Sequence, residues 1–313
     1  MANPKLIVIL GPTAAGKTKL AVSLAFRFNG EIISADSRQV YRGMDIGTGK
    51  DLGDYELYTP NPSQKGKYSV KIPYHLIDIV SPNTKFSLAK YQKLAYKAID
   101  DIIKRGKVPF LVGGTGLYID AIVNNMPLLQ AKPNFELRER LEKLSNEKLL
   151  EKLKKLDPVL DNEIIQNNKR RIIRYIEIIE QCKKPVSELW EEQKRQENYK
   201  CLILGITTDR EVINANIDER IDRRLEKERM VEEVARLHKE GVTWKRLEAF
   251  GLEYKFIAQY LEGKLKYNEM VDLLKTASHQ FAKRQMTWFK RDERIKWVSG
   301  YREAREEVVK FLK

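Results

Sequence analysis

One octapeptide near the start of the chain, Gly11-Pro12-Thr13-Ala14-Ala15-Gly16-Lys17-Thr18, limits the possible folds more than any other segment. It has the form G-x-x-x-x-G-K-[ST] and joins an apolar run, Lys5 to Leu10, to a helical stretch, Thr18 to Phe28. A run of that kind reads as a buried strand, so the motif stands in the strand–loop–helix context it requires. Its glycines let backbone N–H groups curl around an anion, and the helix N-terminus adds a favourable dipole. Lys17 brings a mobile positive charge, and the Thr18 hydroxyl is a candidate magnesium ligand. The expected phosphate cradle is therefore Gly11, Thr13, Ala14, Ala15, Gly16, Lys17 and Thr18.

The same alternation continues. Glu31 to Ser34 reads as a strand, Ser87 to Arg105 as a helix, and Val108 to Val112 as a strand running into Gly113-Gly114-Thr115-Gly116. Such alternation predicts an α/β fold, a P-loop-type parallel sheet flanked by helices. After about Asn125 the character changes: leucines at 137, 141, 144, 149, 150, 153 and 156 recur at helical spacing among lysines and glutamates. Asp157-Pro158 breaks that pattern, and a second helix is expected from about Asn168 to Gln181. The spacing predicts an all-helical insertion over 126–196, with 1–125 and 197–313 forming the core. Lys200 to Ile206 reads as a strand returning to the sheet, and helices are expected over the remainder. Asp51 to Pro73, rich in Gly, Tyr, Lys and Pro, reads as a loop excursion.

The phosphate loop leaves the ligand open. A P-loop kinase or ATPase needs a further carboxylate at a strand end to organise magnesium. Val108 to Val112 instead ends in Gly-Gly-Thr-Gly, and Asp78 is a poor substitute. Ile32-Ile33-Ser34-Ala35-Asp36 does carry a carboxylate just past a strand, where the ligand crevice of a parallel sheet lies. Asp36 is either a functional group there or an N-cap.

Charge bears on the partner. Lysine and arginine total 58 against 44 acidic residues, a net +14. That excess suits a polyanion, nucleic acid first, although a generally lysine-rich protein would show it too. Cys182 and Cys201 read as reduced thiols, and with only His75, His238 and His279 beside them no zinc site is expected. No apolar run is long enough to cross a membrane, and the first apolar stretch is short for a signal peptide, so the expected location is the cytoplasm.

Taken together, these segments resemble the tRNA dimethylallyltransferase (tRNA isopentenyltransferase) family. The resemblance rests on the phosphate loop, then Asp36-Ser37-Arg38-Gln39-Val40-Tyr41-Arg42-Gly43-Met44-Asp45-Ile46-Gly47-Thr48, then His75-Leu76-Ile77-Asp78-Ile79 and Gly113-Gly114-Thr115-Gly116-Leu117-Tyr118-Ile119. Asn167-Asn168-Lys169-Arg170-Arg171-Ile172-Ile173-Arg174 and Ala282-Lys283-Arg284-Gln285-Met286-Thr287-Trp288-Phe289 follow in family order.

The resemblance implies that the phosphate loop takes dimethylallyl diphosphate and that a dimethylallyl group passes to the exocyclic N6 amine of an adenine 3′ of the anticodon. It implies Asp36 as general base, with Thr13, Lys17, Arg220 and a Mg2+ ion near Thr18 on the departing diphosphate. It also implies tRNA contacts at Asp36, Ser37, Arg38, Gln39, Thr115, Arg170, Arg171, Arg174, Lys283, Arg284 and Gln285, and a helical insertion that grips the anticodon stem-loop of the tRNA. A monomer is expected. Trp288 and Phe289 read as core residues.

Five features depart from the family pattern. Gly49 stands where alanine is common, the loop after Lys50 is longer, Tyr74 replaces the first of two histidines, Asn216 replaces an arginine, and Gly251-Leu252-Glu253-Tyr254-Lys255 stands where Gly-Tyr-Lys is usual. The alternatives are prenyl transfer to free AMP or ADP, a P-loop kinase or ATPase, and an RNA-binding module with a vestigial loop. The insertion and basic charge favour a macromolecular acceptor over AMP.

Overall fold

A computed structural model of the chain describes residues 3–60, 67–128, 131–160, 168–192 and 198–313. Asn167, the first residue of the Asn-Asn-Lys-Arg-Arg motif, and residues 61–66 of the expected loop excursion lie outside the described residues. The chain forms two compact units, Met1–Val123 with Glu197–Lys313, and Asn124–Gln196.

The larger unit is built on β1 (Lys5–Leu10), α1 (Lys17–Arg27), β2 (Gly30–Ser34), β3 (Glu56–Pro60), β4 (Lys67–Lys71), β5 (Tyr74–His75), α2 (Leu88–Lys104), β6 (Val108–Gly113) and α3 (Gly116–Val123). Six strands, with β7 (Lys200–Ile206) and β8 (Lys296–Val298), form one sheet in the order β5-β2-β6-β1-β7-β8. Every neighbouring pair in it is parallel. This is the α/β, P-loop-type parallel sheet that the alternation of the sequence predicts.

A parallel sheet covered on both faces must be apolar on both, which is why β1 reads as an unbroken hydrophobic run. Leu6, Val8 and Leu10 point into a core shared with Tyr91, Ala95 and Ile99 of α2 and Ile119 and Ile122 of α3. Ile7 and Ile9 point the other way, onto Leu20, Ala21 and Leu24 of α1. Each such side chain, fully removed from water, contributes about 2 kcal/mol.

The smaller unit holds α4 (Phe135–Glu142), α5 (Asn146–Leu156), α6 (Lys169–Cys182) and α7 (Val186–Glu192). Ser145 caps α5 through its hydroxyl and Asn168 caps α6 through its side chain. Leu137, Leu141, Leu149 and Leu153 meet Ile172, Ile173 and Ile176 in its core. One buried acid, Glu177, accepts hydrogen bonds from the Asn134 N–H (2.6 Å) and from Arg138, and it pairs with Arg174.

After β7 the larger unit resumes with α8 (Arg210–Glu226), α9 (Met230–Lys239), α10 (Trp244–Phe250), α11 (Leu252–Leu261) and α12 (Tyr267–Phe289), and α13 (Tyr301–Leu312) follows β8. Ile213, Ile217 and Ile221 of α8 pack with Met270 and Leu274 of α12 and with Val40 and Met44. Between Asp45 and Gly47 the loop backbone is held by a single carboxylate. Glu233 of α9 accepts from the N–H groups of Asp45 (2.8 Å), Ile46 (2.8 Å) and Gly47 (3.1 Å) and from the Tyr254 hydroxyl (2.8 Å).

Two expectations change. The segment after Asp51 is not a bare loop: a 3-10 turn (Leu52–Tyr55) leads into β3, which pairs antiparallel with β4. The last third is not wholly helical, because the three residues of β8 add an edge strand beside β7. A three-residue strand is too short to show a period.

Candidate active site

Because the strands run parallel, their C-termini share one edge of the sheet, and a cavity of about 670 Å³ opens there. Thr13, Ala14, Gly16, Lys17 and Thr18 line it from the phosphate loop, Asp36 and Gln39 from the end of β2, and Gly113 and Gly114 from the end of β6. Of the expected cradle, Gly11 and Ala15 do not line it: Gly11 is buried and Ala15 packs on the core. Asn216, Glu219, Arg220 and Arg223 of α8 form the facing wall.

Two cations converge, Lys17 and Arg220. Lys17 donates from Nζ to the Pro12 carbonyl (2.6 Å), which turns its side chain back over the loop. Burial, joined by the Arg220 charge and opposed by Asp36, pulls its ammonium down to about 8. Arg220 donates from Nη2 to the Thr13 hydroxyl (2.7 Å), while its buried Nε has no partner among the described residues. Burial first, then the neighbouring Arg224, lowers its pKa to about 10, and Glu253 and Asp51 offset part of that charge. So much desolvated positive charge around one hydroxyl is costly in an empty site and favourable to a polyanionic ligand. Asn216, where the family pattern has arginine, donates to the Ala14 carbonyl (3.3 Å), so it braces the loop with a neutral amide.

Asp36 sits in the turn after β2. Its Oδ1 accepts from the Arg38 N–H (2.8 Å), which fixes the carboxylate in an Asx turn rather than at a helix start. The Ser37 N–H donates to the Thr115 hydroxyl (3.2 Å), tying this turn to the one after β6. Gln39 accepts from the Ser34 hydroxyl (2.9 Å) and donates to the Gly49 carbonyl (3.1 Å). Arg38 lies over the Phe250 ring, and burial lowers its pKa while Asp36 opposes that shift. Ser37, Arg38 and Thr115 thus stand beside Asp36, but unlike Asp36 they do not line the cavity.

Not every residue of the expected tRNA set is presented alike. Arg170, Lys283 and Arg284 are exposed. Arg171 is half-buried. Arg174 is engaged by Glu177 and by the Ala131 carbonyl (2.9 Å). Gln285 is buried, with both amide atoms bonded to backbone of the cavity loops. Trp288 donates to Asp120 (3.0 Å) and Phe289 is buried, so both are core residues.

Sequence reasoning missed several groups here. Arg223 lies three residues after Arg220 and seven after Asn216, a helical face that spacing could have shown. Asp51, Leu52, Asp54 and Tyr55, from the extended loop, form one wall. Asp51 is held by buried Arg224 (3.1 Å), and Gly49 makes room for that guanidinium. A Cβ on Gly49, whose φ is +64°, would meet Arg224 Nη2 at 2.9 Å, so alanine there would be strained and would displace that guanidinium. Asp78 does not line the cavity; it pairs with buried Lys50, which also bonds Asp45 (2.6 Å) and the Tyr41 carbonyl (2.7 Å). Among the described residues no group of three or more His, Cys, Asp or Glu side chains is placed to hold a metal. No helix among them is long and apolar enough to cross a membrane.

Comparison with known proteins gives the same picture over most of the length. A family model described as IPP transferase matches residues 39–292, and one described as isopentenyl transferase matches 4–58. The chain is 43% identical to tRNA dimethylallyltransferase 1 of Geotalea uraniireducens, over 98% of this chain and 97% of that one. It is 41% identical to the tRNA dimethylallyltransferase of Acetivibrio thermocellus, over 98% and 96%. Among solved structures, the tRNA isopentenylpyrophosphate transferase of Bacillus halodurans superposes with a TM-score of 0.68 at 36% identity, covering 98% of this chain and 95% of that one. A eukaryotic dimethylallyltransferase acting on tRNA gives 0.75 at 29%, covering 91% and 70%. With one family model spanning most of the chain and relatives above 40% identity from end to end, this chain belongs to the IPP transferase family, the tRNA dimethylallyltransferases.

Proposed function

We propose that this chain transfers a dimethylallyl group from dimethylallyl diphosphate to the exocyclic N6 amine of the adenine 3′ of the anticodon in tRNA, releasing diphosphate. The observation that carries this reading is one cavity lined by two desolvated cations, Lys17 of the phosphate loop and Arg220 of α8, together with the Asp36 carboxylate. The amine nitrogen attacks C1 of the donor, the C1–O bond breaks with its electron pair going to the diphosphate, and the amine proton passes to Asp36. An adenine amine is a weak nucleophile, so a base is worth about 10²–10⁴-fold. Lys17, Arg220 and the loop N–H groups oppose the charge that grows on the leaving diphosphate.

Magnesium suits this donor set. The ion keeps several waters and commonly takes one or two protein oxygens beside its phosphates, so Thr18 with a diphosphate is sufficient without a cage of carboxylates. When bound it would neutralise diphosphate charge. Thr18 is the residue that would hold it.

The acceptor base is proposed to leave its stack to reach Asp36, with Ser37, Arg38, Gln39 and Thr115 around it. Exposed Arg170, Lys283 and Arg284, with Arg171, are proposed to meet tRNA phosphates, and residues 124–196 to grip the anticodon stem-loop as a monomeric enzyme's second unit. Arg174 supports that surface by ordering α6 through Glu177. A free nucleotide acceptor would have no use for these exposed cations or for the helical unit.

Nucleoside mass spectrometry of unmodified tRNA incubated with the protein, Mg2+ and dimethylallyl diphosphate tests the reading. A five-carbon gain on adenosine is expected. A gain on AMP alone would move the acceptor, and ATP hydrolysis without any gain would replace the reaction.

A further inference from the structure

Gln285 joins three distant parts of the larger unit. Its Oε1 accepts from the Thr13 N–H (2.9 Å) and its Nε2 donates to the Gly114 carbonyl (2.8 Å). Thr13 and Gly114 follow β1 and β6, two adjacent strands, and both line the cavity. A Cβ on Gly114 would collide with the Gln285 amide, so glycine at that place is what lets the side chain enter. Thr13 passes the connection on, since its hydroxyl accepts from Arg220. On the same helix as Gln285, the preceding Lys283 and Arg284 are exposed.

A carboxamide is an uncharged planar group that offers a donor and an acceptor at fixed separation. Here the donor and acceptor are spent on backbone, and the Thr13 N–H they hold is thereby withheld from the ligand. What the bonds fix is the orientation of the Thr13 peptide and the distance between two loops.

We propose that Gln285 is a positioning residue for prenyl transfer, which sets the Thr13–Arg220 pair against the Gly113-Gly114 turn so that donor and acceptor sides of the cavity keep one spacing. The inference rests on the transfer reaction proposed above. Misplacing a reacting group by about 1 Å costs about a hundredfold in rate, so the effect belongs in turnover rather than in tRNA affinity.

The test uses the full-length chain with tRNA and dimethylallyl diphosphate, measuring single-turnover rate and tRNA Kd separately. Gln285→Met removes both bonds at similar volume. Its rate should fall about a hundredfold while tRNA Kd stays within about twofold. Gln285→Glu supplies the control that a merely structural role would not move. A protonated carboxyl reproduces the donor–acceptor pair, whereas the carboxylate repels the Gly114 carbonyl, and burial favours the protonated form. The rate of Gln285→Glu relative to wild type should therefore rise as pH falls from about 8 to about 6. Should Gln285→Met fail to fold, that pH ratio still decides. An unchanged rate in Gln285→Met, a weakened tRNA Kd at unchanged rate, or a flat pH ratio in Gln285→Glu overturns the positioning role. Wild-type protein that leaves tRNA unmodified overturns the transfer reaction, and this role with it.

Discussion

Arg220 and Thr13, 207 residues apart in sequence, meet in a hydrogen bond of 2.7 Å at the mouth of the phosphate loop. The pair is the one place among the described residues where α8 is hydrogen-bonded, side chain to side chain, to the loop, and it makes the hydroxyl of Thr13 a relay for the buried guanidinium.

Thr13→Val and Arg220→Gln should each lower kcat/KM by about 10²–10³-fold, the usual loss when one pre-placed donor to a developing charge is removed. Because both variants break the same hydrogen bond, the double variant should fall well short of the product of the two losses. A double-mutant cycle on tRNA prenylation reads this, and full additivity would show that the pair is not a unit.

Asp36→Asn keeps the size and the acceptor for the Arg38 N–H but cannot take a proton. Turnover should drop about 10²–10⁴-fold with dimethylallyl diphosphate affinity held within a few-fold. Near-normal turnover would remove Asp36 from the role of base.

Lys17 makes donor binding and fold stability respond to pH in opposite directions. Its folded-state pKa, about 8, lies below the ordinary 10.5, so between these values the unfolded chain binds the extra proton. Stability of the ligand-free protein from this group therefore rises with pH across that window. Donor binding requires the ammonium, so KM for dimethylallyl diphosphate should increase above pH 8, by at most about tenfold per unit. Steady-state kinetics and thermal melts over the same pH range check both limbs, and Lys17→Met should abolish both.

Arg170→Ala, Lys283→Ala and Arg284→Ala should each weaken tRNA binding and flatten its dependence on salt. The slope of log K against log salt should change by about 0.7–0.9 for each phosphate that a variant no longer neutralises. Binding isotherms at several salt concentrations decide it; a residue whose removal leaves the slope untouched does not touch phosphate.

How far the sequence carries depends on how local the signal is. The parallel α/β core is legible because β1, β2 and β6 are short apolar runs ending in glycine or in a small polar turn, and each is followed by a chain segment of different period. Strand order is not legible, since β1 lies between β6 and β7 for reasons of helix packing that act between distant segments. The β3–β4 hairpin escaped because strand pairs of five residues interrupted by Pro and Gly show too little alternation. At the site, the carboxylate of Asp36 follows from the rule that ligands sit beyond strand C-termini. The face of α8 follows only in part: spacing puts Asn216, Arg220 and Arg223 on one side, but its seventeen residues carry charges all round the helix, so nothing in the pattern marks Arg224 as buried. Glu233 and Glu177 escaped for a related reason, since an acid within an ordinary amphipathic helix gives no sign that it will be buried on backbone N–H groups.

The hold of Glu233 on three successive loop N–H groups has a consequence for selectivity. A run of amide hydrogens converging on one point is itself an anion receptor, the same device as the phosphate loop built a second time from residues 45–47. The protein stoppers that second receptor with its own carboxylate. That receptor is thus self-satisfied, whereas the phosphate loop faces an open cavity with Lys17 and Arg220 beside it and draws its charge from outside.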